Sequence, residues 1–268
     1  MMSTFDATLQ RYRLPLQPAP ERVRAAVAAG VRAVEAVSLS EATRVLAGAV
    51  PCPDEVVRDT HGRVRITCST GLPGVTPAMV DWWFGWHLPA AERYRLWHPL
   101  AHMNARVRDA RASLPPTREG DRQRYVGNVS LVDEYIGASL KKLAIAFVDP
   151  MAFGLDVAVL GAGTAVCATT ADRVLGGQGG ALVHVVLPTP QGAQMRSGFW
   201  LGEIRHTLPL VQGLLGGVLN SSMMRRVIVP DRMALDLLLH CGEEMNHLAR
   251  FLPRLYADIR GAEVSAAA

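Results

Sequence analysis

LDLLLHCGEEMNHLARFLPRLYADI, residues 235–259, reads as one long amphipathic helix. Leu238, Cys241, Met245, Leu248 and Leu252 recur at threes and fours, the spacing of a buried helical stripe. Four polar residues interrupt the run: His240, Glu243, Glu244 and His247. His240 and Glu244 are one turn apart and share a helical face, as do Glu243 and His247. An imidazole and a carboxylate on adjacent turns can bind a divalent metal from a rigid base. The same residues would equally serve as the solvated edge of an amphipathic helix, so further ligands must come from elsewhere in the chain.

Composition narrows the setting for that helix. The chain has 268 residues, enough for one large domain or one domain with a small appendage. Hydrophobic residues are 49% and charged residues 19%, which supports a real core and excludes a disordered chain. The formal charge is +4, and the basic residues are scattered without a block that would track nucleic acid. Four cysteines without a CxxC pair exclude a zinc ribbon and a disulfide framework, and fit reduced thiols. The N-terminal MMSTFDATLQRYR has no apolar signal core. The apolar runs fall short of the roughly 20 residues of a spanning helix. The expectation is a soluble, cytoplasmic protein with no nucleic-acid or membrane partner.

Residues 1–62 read as a small helical N-terminal domain, with helical segments at 21–37 and 40–46, and residues 63–268 as the main domain. A short strand follows at 63–69. Thr76-Pro77, a cap and a first-turn proline, then opens a helix carrying Trp82, Trp83, Phe84 and Trp86. That cluster is core, or the wall of a pocket for a flat aromatic ligand with Trp86 as a substrate contact. In ERYRLWHPLAHMN, residues 92–104, His98 and His102 stand at helical spacing and Tyr94 precedes His102 by two turns. After the breaker Pro115-Pro116, β-type composition dominates. It runs through 124–135 (with Asp133 and Glu134), 140–147, 155–170, 180–187 (with His184) and 194–202 (with Phe199). Residues 208–224 are apolar and glycine-rich and carry no assignment, and Pro230-Asp231 starts the final helix. Segregated helices and strands predict an α+β fold, a curved antiparallel sheet wrapped around the last helix. VLGAGTAV, residues 159–166, lacks the third glycine and the following helix of a dinucleotide fingerprint, which excludes a Rossmann site.

Imidazoles and carboxylates therefore concentrate at His98/His102, Asp133/Glu134 and His240/Glu243/Glu244. A His2Glu2 set drawn from the three places suits zinc, and also iron or manganese. Without a metal, charges in so apolar a core would be costly.

Three stretches, GLPGVTPAMVDWWFGWH, YRLWHPLAH and LLLHCGEEMNHLARFLPRLY, resemble those of the 2,4-diacetylphloroglucinol hydrolase and phloretin hydrolase family. With GALVHVVL and RSGFWLG between them, the resemblance covers about residues 65–258. It implies a helix-grip, Bet v 1-like catalytic domain and a homodimer. It also implies zinc-dependent hydrolysis of the carbon–carbon bond between an acyl group and a polyhydroxylated ring, so a small aromatic ketone is the expected partner. By that resemblance the metal ligands are His102, Glu134, His240 and Glu244, with Asp133 the neighbour that could replace Glu134. Tyr94 and His184 would be catalytic, and Asn104 would face the substrate. Phe199 stands where the family carries a pocket tyrosine. Two other readings remain open: a non-catalytic binder of hydrophobic ligands on the same fold, and a metal-dependent hydrolase or cyclase of another polyketide-like aromatic.

Overall fold

The C-terminal helix, Asp231–Ala267, is the axis of the molecule. In the computed structural model, which describes residues 9–110, 120–174, 176–206 and 208–267, its stripe is buried as its spacing predicts. Ala234, Leu238, Cys241, Met245, Leu248, Leu252 and Leu255 are all fully buried. Each such leucine contributes about 2 kcal/mol from apolar area removed from water. The helix begins at Asp231 itself, whose carboxylate pairs with the buried Arg58 at 2.7 Å.

The stripe packs chiefly against β3 of a nine-stranded sheet. The strands are β1 (Val31–Val34), β2 (Glu55–Asp59), β3 (Val64–Pro73), β4 (His102–Val107), β5 (Val129–Ile136), β6 (Ser139–Val148), β7 (Thr164–Asp172), β8 (Gly177–Thr189) and β9 (Gly192–His206). Their order is β1-β2-β3-β9-β8-β7-β6-β5-β4. Neighbours are antiparallel except β1 and β2, which run parallel. The expected all-antiparallel sheet is corrected at that edge. After β1 the chain crosses back through the short helical turns of residues 39–47 before β2, and such a crossover delivers a parallel strand.

Both faces of β7 and β8 are covered. Val166, Ala168, Leu182 and Val186 enter the main core, while Cys167, Val183 and Val185 pack with Leu46, Leu155, Leu160 and Trp200 in a second cluster. A strand buried on both faces needs no alternation, hence the unbroken apolar run GALVHVVL. Period two still holds for direction, so His184 shares the inner face with Leu182 and Val186.

Residues 1–62 are not wholly helical. Their described part holds the α-helix Glu21–Ala29 and the short helical turns Leu39–Glu41 and Thr43–Ala47, and also β1 and β2, which continue the sheet. Leu9, Tyr12, Ala19 and Val23 join the main core. The backbone N–H of Gln17 donates to His247 Nδ1 at 3.1 Å, and Asn246 Nδ2 donates to the Pro18 carbonyl at 2.7 Å. This segment therefore lies along the C-terminal helix, and His247 is a fully buried clamp on it. Contact is closest at Gly242, where an added Cβ would stand 2.8 Å from Val23 Cγ1 and 3.2 Å from Ala19 Cβ. Replacing Gly242 with alanine is expected to destabilise the fold by about 1–3 kcal/mol through overpacking. An unchanged melting temperature would show that the segment yields without cost.

Three further segments take a form that their composition does not show. His98 and His102, at helical spacing in the sequence, share no helix: the helix Ala91–Trp97 ends ahead of His98-Pro99, the chain turns, and His102 opens β4. Residues 157–160 form a 3-10 turn rather than strand. The unassigned residues 208–224 fall in the helix Pro209–Leu219 and the start of the helix Ser222–Ile228. The Pro115-Pro116 breaker lies outside the described residues.

Candidate metal centre

Three elements bring the site together. The C-terminal helix presents His240 and Glu244 on one face. Strand β5 presents Glu134: Ser130, Val132, Glu134 and Ile136 are buried in alternation, whereas Asp133 points away and pairs with Arg173. Period two thus decides between the adjacent carboxylates in favour of Glu134. Strand β4 presents His102, which is the cross-strand partner of Glu134.

Donor atoms of His102, Glu134 and His240 all lie within 4.8 Å of one another. Glu244 borders the group, with Oε1 3.2 Å from His102 Nε2 and Oε2 4.0 Å from His240 Nε2. These contacts are not ion pairs. Burial holds both imidazoles well below their ordinary pKa, so they are neutral. Burial likewise raises the Glu134 carboxyl to about 7 and the Glu244 carboxyl to about 8. In the bare protein the cluster is thus two neutral imidazoles facing two carboxyls that resist ionisation.

The remaining contacts fix how the ligands point. His102 Nδ1 donates to the Tyr94 carbonyl at 3.0 Å, which leaves Nε2 with a lone pair. That Nε2 is buried and, although Glu244 Oε1 stands 3.2 Å away, makes no hydrogen bond of good geometry among the described residues. A buried unpaired nitrogen is costly, and a cation among these donors would satisfy it. The donor set of two imidazoles and one or two carboxylates suits zinc and other divalent first-row metals. The residues present therefore fit a metal ion. His98 stacks on His240 at 4.7 Å, accepts the Ala101 N–H at Nδ1 and contacts Glu243 through Nε2 at 3.3 Å. His98 and Glu243 thus brace His240.

Tyr94 stacks flat on His102 at 3.7 Å and its hydroxyl donates to Glu134. Burial, with Glu134 and Glu244 nearby, raises its pKa well above the usual phenol range. The centre opens on a cavity of about 750 Å³ between helix and sheet. Its walls are mostly apolar, including Phe84, Val132, Phe147, Leu182, Phe199 and Leu237, and the helix Pro209–Leu219 adds Leu215 and Leu219. His184 projects into it from β8, with Nδ1 2.8 Å from Ser197 Oγ. Burial lowers His184 to about 3, so it too is neutral.

Two expected substrate contacts stand elsewhere. Trp86 is buried in the core, stacked on Trp82 at 5.1 Å beneath the Arg93 guanidinium, and is not part of the cavity wall. Asn104 is exposed on β4, beyond a bulge between His102 and Asn104 that shifts the register there. Among the cavity residues to which the sequence assigns no role is His87, at the end of the tryptophan-rich helix.

A family model described as the DAPG hydrolase PhiG domain matches residues 57–257. The chain is 30% identical over 197 residues to 2,4-diacetylphloroglucinol hydrolase of Pseudomonas protegens, covering 70% of this chain and 62% of that protein. It is 29% identical over 202 residues to phloretin hydrolase of Eubacterium ramulus, covering 74% of this chain and 69% of that protein. The alignment thus spans less than two thirds of the Pseudomonas relative. Solved structures that resemble it include Ara h 8.0201, at 10% identity and a TM-score of 0.33, over 67% of this chain and 99% of that one. Protein Ms6760 from Mycobacterium smegmatis matches at 10% identity and a TM-score of 0.38, over 75% of this chain and 98% of that one.

Proposed function

This chain belongs to the DAPG hydrolase family, and from that premise we propose that it hydrolyses the carbon–carbon bond joining an acyl group to a polyhydroxylated aromatic ring. The products are a carboxylic acid and the deacylated phenol, as expected for acylphloroglucinol-type substrates. The observation that carries this reading is the buried, unpaired His102 Nε2 among converging Glu134 and His240 donors, opening on an apolar cavity.

In this reading zinc is held by His102, Glu134 and His240, with Glu244 completing the set. When bound, the ion supplies Lewis acidity, which polarises an acyl carbonyl and makes water a stronger nucleophile at neutral pH. The chain's own residues do the rest. The cavity excludes bulk water and takes the flat ring against Phe84 and Phe199. Water adds hydroxide to the acyl carbon, the carbon–carbon bond breaks, and the ring carbon takes up a proton. A polyphenol favours this because a keto tautomer carries the departing electron pair. The Tyr94 hydroxyl and the neutral His184 imidazole bind ring hydroxyls and move protons between oxygen and carbon.

A non-catalytic binder on the same fold would have no use for the unpaired His102 nitrogen, and it predicts no stoichiometric metal. The deciding experiment incubates zinc-loaded protein with a panel of acylphloroglucinols and follows carboxylic acid release by chromatography. Acid release that needs the metal is expected. Metal-loaded protein that releases no acid from any member would overturn the hydrolase reading.

A further inference from the structure

His87 ends the helix Pro77–His87 and lines the cavity while only 2% exposed. Its Nδ1 lies 2.7 Å from the Trp83 carbonyl, one turn back on the same helix. A carbonyl only accepts, so Nδ1 carries the proton and Nε2 keeps a lone pair. No hydrogen bond from a described residue reaches that Nε2. Burial lowers the imidazole to about 3, so the ring is neutral and acts as an acceptor. Aromatic rings hold it in place. It stacks on Trp83 at 4.9 Å and runs nearly parallel to Tyr94 at 5.9 Å, and Trp97 meets it edge-on at 5.2 Å.

Its place along the wall indicates what it meets. His87 and His184 lie 5.5 and 5.9 Å from the same Phe84 ring, centroid to centroid. On its other side His87 leads through Tyr94 to His102. A ring lying against Phe84 would thus meet one fixed acceptor at His87 and another polar group at His184. In a mostly apolar wall, a lone pair that no described residue satisfies rewards a ligand that brings a hydroxyl and penalises one that does not.

We propose that His87 Nε2 accepts a hydrogen bond from a ring hydroxyl of the phenolic substrate, making it a specificity residue that orients the ring toward the metal centre. The proposal rests on the acylphenol reading of the cavity. It concerns ring binding, so it can be tested apart from turnover.

The test measures binding of phloroglucinol and of 1,3,5-trimethoxybenzene to metal-loaded protein by calorimetry. The wild-type chain is compared with His87→Asn and His87→Gln. Asparagine can keep the bond to the Trp83 carbonyl but cannot reach the Nε2 position, whereas glutamine can place its amide oxygen there. His87→Asn is expected to weaken phloroglucinol about tenfold and to leave trimethoxybenzene unchanged. His87→Gln should recover most of the loss, with metal content and melting temperature as in wild type. Equal affinity of His87→Asn and wild type for phloroglucinol would overturn the proposal. So would an equal loss for both probes, which marks a merely structural role, or a wild-type chain that does not bind phloroglucinol. If phloroglucinol binding depends on His87 but no acylphenol is cleaved, the hydrolase reading fails and this one stands. If acylphenols are cleaved with an unchanged KM in His87→Asn, the reverse holds.

Discussion

Alanine at His102 or at His240 is expected to strip the protein of its divalent ion and to abolish turnover. Each supplies one of the converging donors, on β4 and on the C-terminal helix respectively. Loss of a partner that merely orients a ligand costs about 10–100-fold in metal affinity, so loss of a ligand costs more. The fold should tolerate both changes. His102 sits at the first residue of a strand, and His240 lies beside the buried stripe rather than within it. The His102 substitution also removes a buried nitrogen that no hydrogen bond from a described residue satisfies. Elemental analysis after dialysis reads the metal, and far-ultraviolet circular dichroism reads the fold. A folded His240→Ala protein with full zinc occupancy would refute the assignment. Glu244→Ala tests the fourth position in the same way, because Glu244 approaches His102 without joining the tightest donor group.

Metal-free protein is expected to lose stability as pH rises from about 6.5 to about 8.5, while metal-loaded protein does not. The carboxyls of Glu134 and Glu244 are raised by burial to about 7 and about 8, from an ordinary 4.5. A raised folded-state value means the native state holds protons that the unfolded chain has released, so stability falls with rising pH across that interval. The loss begins above the unfolded value and is complete once pH passes the folded one. The buried imidazoles of His87, His102, His184, His240 and His247 act in the opposite sense, because their folded values are lowered. Their contribution changes only below the unfolded value of 6.5 and is constant above it. The buried thiols of Cys52 and Cys167 are raised to about 12 from 9 and leave the interval untouched. Above pH 6.5 the carboxyls alone set the slope, and each tenfold difference in proton affinity between the folded and unfolded chain corresponds to about 1.4 kcal/mol. A bound cation keeps both carboxylates ionised in the native state and removes the penalty. Denaturant titrations of chelator-treated and zinc-loaded protein across this range give the comparison. Parallel pH curves for the two forms would mean that the carboxyls do not face the ion.

What the amino-acid sequence reveals by itself is mostly local. The stripe at Leu238, Cys241, Met245, Leu248 and Leu252 is a property of helical period, and it lies buried as spacing requires. His240 and Glu244 share a face for the same reason. The Thr76 cap is equally local, and its side chain accepts the Met79 N–H at 3.3 Å. Alternation along Ser130, Val132, Glu134 and Ile136 could have separated Glu134 from Asp133, since the apolar partners are visible in the sequence. His87 offered a weaker signal. Its one-turn spacing from Trp83 permits the bond that fixes its tautomer, but nothing local shows that the ring lines a cavity.

Other features depended on contacts between distant segments. His98 and His102 look like a helical pair, yet Pro99 ends the helix and sends His102 to a strand whose register with β5 sets it opposite Glu134. The bulge beside it leaves Asn104 exposed, and the packing of Trp82 and Arg93 around Trp86 takes that ring out of the cavity wall. Residues 55–59 become a strand because the edge of β3 is there to pair with, and residues 31–34 pair in turn with that strand. The sequence alone determined the gripped helix and half of the candidate ligand set, because a helix face is specified by residues three and four apart. The tertiary structure decided the other half, the cavity and its acceptors, because strand register and burial depend on partners far along the chain.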